Sequence, residues 1–313
     1  MTQGYFKASR QAWDWSVQFH RGSPDKFHSL KAHLRWAGLA AFRRQGADDW
    51  FALLERPEMR PFAEANSHLA FRPLARYLSI DWDFQKRAKV ILETYEFIHA
   101  QGGTLFTSML QPDCTSMLAR FSLGKAGEAT IRFGFSGKFR KEGEIVVYLE
   151  TSQREGPISY LAFSLEKGPG GWILYVGAIQ GRKGGEEEVT REITKAMHGL
   201  RPKAFMVFLA QEIAQALRVR ELRGVGNNIH VFRARNMGPS GAKRRVVFDY
   251  DELWEEIGGE SLPDGWFNLP LKALRRAPEE IKPNKRGMYT KRYAMMDTIS
   301  RQIRTVLTPF PRG

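Results

Sequence analysis

Three short stretches carry residues able to bind anions or move protons. The first follows an apolar run ending at Ile179: Gln180-Gly181-Arg182-Lys183-Gly184-Gly185. A strand that leads through glycines and two cations into a helix exposes backbone N–H groups where a phosphate could bind. The same composition also makes an ordinary strand-to-helix turn, and it matches neither the Walker pattern nor Gly-x-Gly-x-x-Gly. The second is Thr194-Lys195-Ala196-Met197-His198-Gly199-Leu200-Arg201-Pro202-Lys203. There Arg201 could hold a phosphate or carboxylate while His198 handles a proton, or Gly199 and Pro202 simply punctuate two helices. The third is Gly224-Val225-Gly226-Asn227-Asn228-Ile229-His230, amides and an imidazole at a strand end. His230 is the leading general-base candidate, against the alternative that the Asn side chains only bond local backbone in a bend.

Other chemistry is weaker. Cys114 has no base near it in sequence, and His28 and His33 miss the spacing that puts two ligands on one helix face. No Gly-x-Ser-x-Gly elbow exists, and a single Cys excludes a disulfide scaffold and any cysteine-based metal site. No metal is expected.

The elements that must position these stretches change character along the chain. Apolar positions recur at three and four up to about residue 103, as in Leu30, Leu34, Trp36 and Leu39. Helices are expected from Ser23-Pro24, over 50–54, 67–78 and 83–100, with Pro57 and Pro61 as breaks and Gly102-Gly103 as a stop. Alternation takes over from Ala129. Runs at 130–135, 145–149, 160–165 and 172–179, the last two joined by Gly168-Pro169-Gly170-Gly171, read as a four-stranded antiparallel meander. Helices over 187–197 and 203–217, a strand over 222–225, a helix over 250–257 and a strand over 265–270 follow. The domain reading is 1–103 helical and 104–313 α/β, or one continuous unit.

The net charge is +14, and residues 270–313 hold eleven Lys or Arg against three acids. Such a field favours a polyanion: nucleic acid, an anionic membrane face, an acidic carrier protein or a phosphorylated cofactor. No zinc finger or RNA-binding signature supports the first. Tyr289, Tyr293, Met296, Ile299, Ile303 and Val306 mark an amphipathic helix with a basic flank. Its apolar stripe either lies on a membrane or packs into the core. No apolar run approaches the roughly 20 residues of a membrane span, and the first fifteen residues lack a signal-peptide core, so the expected location is cytoplasmic, with the inner membrane face as a peripheral alternative.

His68-Leu69-Ala70-Phe71-Arg72-Pro73, the three stretches above, Tyr250-Asp251-Glu252-Leu253-Trp254 and Lys285-Arg286-Gly287-Met288-Tyr289 together resemble the VirK/YbjX family of bacterial proteins over about residues 30–307. That resemblance implies a Gram-negative cytoplasmic protein linked to virulence, envelope properties and antimicrobial-peptide resistance, with no established reaction. The element order of the C-terminal half is also similar to the GNAT acyltransferase superfamily. The implied fold is α+β: an N-terminal helical layer, then a mixed, mainly antiparallel sheet flanked by helices, with a basic amphipathic C-terminal helix. In GNAT proteins the loop after the fourth strand cradles the coenzyme A pyrophosphate and the donor lies between two splayed strands. Carried onto this chain, Gln180, Gly181, Arg182, Gly184 and Gly185 fall on that loop, and Asn227, Asn228 and His230 fall near the acceptor. Two helices stand where that fold has one, and the loop departs from the usual Gln/Arg-x-x-Gly-x-Gly/Ala. The implied function is acyl transfer from acyl-CoA or an acidic acyl-carrier protein. The alternative is a non-catalytic factor docking on anionic membrane through the C-terminal helix.

Overall fold

The computed structural model describes residues 3–19, 26–42, 44–111, 116–181, 187–233 and 248–308. The Ser23-Pro24 helix start, Cys114 and the loop residues Arg182, Gly184 and Gly185 lie outside them.

The N-terminal third is helical, as its periodicity predicts: α1 (Gln3–Phe19), α2 (Lys26–Phe42), α3 (Arg44–Leu54), α4 (Arg60–Ala65), α5 (Phe84–Gln101) and α6 (Gly103–Leu110). Pro61 does not break a helix but sits in the first turn of α4, where its missing N–H has no partner to lose. The helix expected over 67–78 is a correction. A single 3-10 turn ends at Phe71, because Pro73 cannot continue it, and Leu78 then takes a left-handed backbone with φ 55°. The segment runs on extended, its Leu78 N–H on the Lys141 carbonyl and its Ile80 N–H on the Ile229 carbonyl, both at 2.8 Å. Asp83 caps α5, its carboxylate accepting from the Lys86 N–H, and Gly102 ends it with φ 63°.

The antiparallel meander has five strands rather than four: β1 (Ser116–Ser122), β2 (Glu128–Gly134), β3 (Ile145–Thr151), β4 (Arg154–Gly168) and β5 (Gly171–Gly181). The sequence hides β1 because its register on β2 shifts between Met117 and Ala119, which breaks the alternation. After β5 come α7 (Glu187–Ala196) and α8 (Pro202–Ala216), then β6 (Glu221–Val225), which pairs parallel to β5. Then α9 (Tyr250–Glu256), β7 (Glu260–Ser261), β8 (Trp266–Leu269) and α10 (Arg286–Leu307) complete the chain, with β8 inserted between β6 and β7. The architecture is thus α+β, with helices around a mixed, mainly antiparallel sheet of eight strands.

Alternation sorts the sheet's side chains onto two faces. Ile145, Val147 and Phe163 meet Ile213 of α8, Leu217 just after it and Leu307 of α10 on one face. Val146, Tyr148, Tyr160, Ala162 and Ala178 line the other, under Phe139. The amphipathic stripe of α10 is part of the core: Met296, Ile299, Ile303 and Leu307 are buried. Tyr289, Tyr293 and Val306 of the stripe are half-buried, so most of its apolar face is occupied inside the chain. No helix among the described residues is long and apolar enough to cross a membrane.

Candidate active site

The site grows from one irregularity in β5. Ala178 pairs with Ala162 and Val176 with Phe163, so Gly177 is an extra residue bulged out of the ladder. Only glycine fits there, since a Cβ would run into the Glu142 carbonyl and the Leu78 side chain. On its other edge β5 pairs with β6 from Ile173 to Val176 alone, opposite Glu221 to Gly224. Beyond that point β6 ends at Val225 while β5 runs on to Gly181.

Side chains from α9 and the segment after β6 enter where the strands part. The Tyr250 hydroxyl donates to the Ile179 carbonyl at 3.3 Å, and the Trp254 indole donates to the Val225 carbonyl at 2.9 Å. Trp254 also covers Gly224, where a Cβ would strike its indole. The His230 ring stacks on Tyr250 with centroids 5.0 Å apart.

Against these lies a buried carboxylate. Glu142 accepts from the Tyr160 hydroxyl at 3.0 Å and from Gln180 Nε2 at 2.9 Å, while Phe139 stacks on Tyr160 at 3.7 Å. Burial, then the Glu142 charge, raises the pKa of Tyr160 far above the ordinary phenol range. Tyr250 is raised for the same two reasons, opposed by the Ile179 carbonyl and the Gln180 side chain. Both phenols are protonated at neutral pH and act as hydrogen-bond donors. One carboxylate, two phenols, an amide and an imidazole thus converge beside the bulge, an arrangement able to accept a proton at one atom and supply one at another.

Of the residues singled out in sequence, Gln180 and His230 come together around Tyr250. His230 is only 1% exposed, and its Nδ1 accepts from the Phe232 N–H at 3.2 Å, which leaves the proton of the neutral ring on Nε2. Burial pushes its pKa down to about 4 against the pull of the Gly177 carbonyl. The imidazole is neutral at pH 7, with its basic nitrogen engaged. Asn227 donates its amide to Asp249 at 2.7 Å and accepts from the Tyr250 N–H at 2.8 Å, so it fixes the start of α9. Asn228 accepts from Arg233 through both its backbone carbonyl and its side chain.

His198 and Arg201 occupy the turn between α7 and α8. His198 has φ 54°, and its carbonyl accepts two bonds from the Arg292 guanidinium, at 3.0 and 2.8 Å. Burial, then the charges of Lys291 and Arg292, lowers its pKa. Gly199 follows at φ 77°, its N–H on the Thr194 carbonyl at 2.7 Å, which closes α7. Arg201 is exposed at the N-cap of α8, with Pro202 next. Lys203, one residue on, reaches Gly181: a Cβ on that glycine would lie 3.8 Å from the lysine Cε. The Lys203 ammonium sits 3.6 Å from the Phe248 ring centroid, and burial lowers its pKa.

Glu142, Tyr160, Tyr250 and Lys203 escape the sequence reading as site residues. Tyr250 and Lys203 stand inside motifs quoted for other members, whereas Glu142, in the turn before β3, and Tyr160, in β4, carry no local signal because only the tertiary fold unites them. Away from this site, an open cleft of about 510 Å³ between α8 and α10 is bordered by the ion pairs Arg275–Asp297 and Arg304–Glu212.

Among known proteins, the chain is 31% identical over 186 residues to the uncharacterized protein YbjX of Escherichia coli K12, covering 58% of this chain and 55% of that one. Two uncharacterized proteins of Haemophilus influenzae are 34% identical over 131 residues (42% of this chain, 43% of theirs) and 32% identical over 148 residues (47% and 48%). The matches span about half the length of each curated relative. No solved structure matches. The family model for proteins of unknown function called DUF535 matches residues 25–305, and the chain therefore belongs to the DUF535 family, that of YbjX, to which its motifs pointed.

Proposed function

We propose that the protein is an acyltransferase that moves an acyl group from a thioester, acyl-CoA or acyl-carrier protein, to an amine or hydroxyl. The observation that carries this reading is the early parting of parallel β5 and β6, with β5 bulged at Gly177 and continuing past β6, on β4, to Gly181. Past the end of β6 that edge is covered by Tyr250 and His230, so a donor laid there would displace them and bring its phosphates to the end of β5. Arg201 and Lys203 at the start of α8 supply cations there, and Lys203 already reaches Gly181. The +14 charge suits the acidic carrier protein as well as the nucleotide.

In this reading the acceptor nitrogen or oxygen attacks the thioester carbonyl and its proton passes to Glu142. The C–S bond breaks, and the proton taken up by Glu142 passes to the leaving thiolate, which releases the thiol and restores the carboxylate, while the protonated Tyr250 hydroxyl serves as a hydrogen-bond donor. Tyr160 and Gln180 hold the Glu142 carboxylate in place. His230, with Nδ1 engaged by Phe232, acts as the surface on which Tyr250 stacks and not as the base. A role in envelope properties and antimicrobial-peptide resistance, as in VirK/YbjX proteins, fits acylation of an envelope component.

The test is thiol release from a panel of acyl-CoA and acyl-carrier-protein donors with amine acceptors, run on the full chain. Glu142→Gln should lower kcat about a hundredfold, the scale of general-acid-base losses, and His230→Asn should leave most of it. Lys203→Ala should weaken the melting-temperature rise caused by coenzyme A. Absence of both turnover and thermal shift with every donor would sink the proposal.

A further inference from the structure

Helix α2 is apolar on both sides, yet only one side is covered. Inward, Ala40 is buried, Trp36 stacks on Phe71 at 4.7 Å, and His33 pairs with Ser16 Oγ at 2.6 Å. Outward, positions 30, 34, 38 and 42 repeat at four, so they form one surface stripe. Leu30 is 47% exposed, Leu34 61% and Phe42 87%, and Gly38 between them faces open space. Val17 of α1, near the α1–α2 connection, adds 43% exposure. A helix apolar all round is ordinarily enclosed on every side. Among the described residues the other large exposed apolar side chains, Met117 and Leu274, lie far from this stripe in sequence.

The charges around the stripe identify what covers it. From Lys26 to Phe42 the sequence has three Lys or Arg and no Asp or Glu. Lys31 and Arg35 are exposed, one residue after Leu30 and Leu34 respectively. Pairing this face with its copy in a second chain would set cation against cation between molecules that each carry +14. An anionic bilayer offers the opposite sign to the basic rim and an apolar interior to the leucines and Phe42. We infer that α2 is an interfacial membrane anchor, lying in the plane of an anionic lipid surface with Leu30, Leu34 and Phe42 inserted. This role belongs to α2 and not to α10, whose apolar stripe is buried in the core. It stands independently of the acyl-transfer proposal.

The experiment is sedimentation of the full chain with vesicles of phosphatidylcholine containing a quarter phosphatidylglycerol, and with phosphatidylcholine alone. The wild type should bind the anionic vesicles, bind the neutral ones far more weakly, and release as salt rises. The double variant Leu34→Glu/Phe42→Glu should bind at least tenfold more weakly with an unchanged melting temperature, since both side chains are exposed. Lys285→Glu/Lys291→Glu on α10 should retain more of the binding. Equal binding by the α2 variant, or none by the wild type, overturns the inference. A wild-type dimer that becomes monomeric in the α2 variant, with no vesicle binding, would assign the stripe to a second copy instead.

Discussion

Glu142 and Glu144 are separated by one glycine, are both buried, and differ in the partners described for them. Glu144 forms an ion pair with Arg72 at 3.0 Å, with side chains 0% and 3% exposed, and accepts from the Tyr95 hydroxyl at 2.7 Å. Ser164 donates no charge here but ties Tyr77 to the same cluster and accepts from the Glu144 N–H at 3.0 Å. Glu142 takes the phenol of Tyr160 and the amide of Gln180 beside the β5 bulge. Gly143 lets the chain pass so close to β4 that a Cβ would collide with the Phe163 backbone. A carboxylate locked to a guanidinium is a fixed anion that joins α-helical layer to sheet. Glu142 has a phenol and an amide among its hydrogen-bond donors, the contacts that the proposed proton transfer uses.

The comparison breaks first at Arg72. Arg72→Met leaves the buried Glu144 carboxylate without its cation, and should cost about 3–5 kcal/mol of unfolding free energy by denaturant titration. Two of its nitrogens, Nε and Nη2, have no partner among the described residues, so the guanidinium makes fewer bonds than it could. The double variant Arg72→Met/Glu144→Gln should therefore recover a large part of the loss. Strict additivity of the two single losses would show that the pair does not act as a unit.

Acid separates the two sides next. His230 titrates near 6.5 when unfolded and near 4 when folded, so between those values the unfolded chain binds more protons. Its contribution is complete above about pH 6.5 and is lost as pH falls toward 4, amounting to roughly 3 kcal/mol at most. Unfolding curves across that window should flatten in His230→Asn, with Arg72→Met retaining the slope. An unchanged slope in His230→Asn would mean that the ring is already charged in the native protein.

How much of this was readable beforehand follows from where the information resides. The α5 cap at Asp83, the Gly168–Gly171 hairpin and the strand at 172–179 are local patterns, and the structure has them. The His198–Pro202 stretch was readable as a helix break because Gly199 and Pro202 act on their own backbone. The 67–78 segment misled because its apolar spacing suits a helix, while Pro73 and the pull of Arg72 and Tyr77 toward Glu144 and Ser164 decide its course. The Glu142 cluster joins residues 142, 160, 180, 230 and 250 from separate strands, a helix and turns, and no window of sequence contains it. His230 was legible as a general-base candidate at a strand end, but neither its burial nor which nitrogen its neighbours engage was.

A smaller change sharpens the Glu142 side. Glu142→Gln keeps the shape but presents one acceptor oxygen in place of two, so either Tyr160 or Gln180 is left unsatisfied, at about 1–3 kcal/mol. A loss near 4 kcal/mol, as at Arg72, would show Glu142 to be as structural as Glu144.

The smallest effect serves as the control for all of these. Arg292→Ala removes two hydrogen bonds to the His198 carbonyl, at 3.0 and 2.8 Å, far from the bulge in sequence and held on α10. Those bonds fix a half-exposed turn, so the expected loss is about 1 kcal/mol, with thiol release unchanged. Glu142→Gln at a comparable loss of stability should abolish most of that release. The two variants together test whether Glu142 is the proposed proton acceptor or a residue whose loss merely softens the fold. Equal loss of activity in both would mean that turnover follows stability, and the contrast between Glu142 and Glu144 would then be one of packing alone.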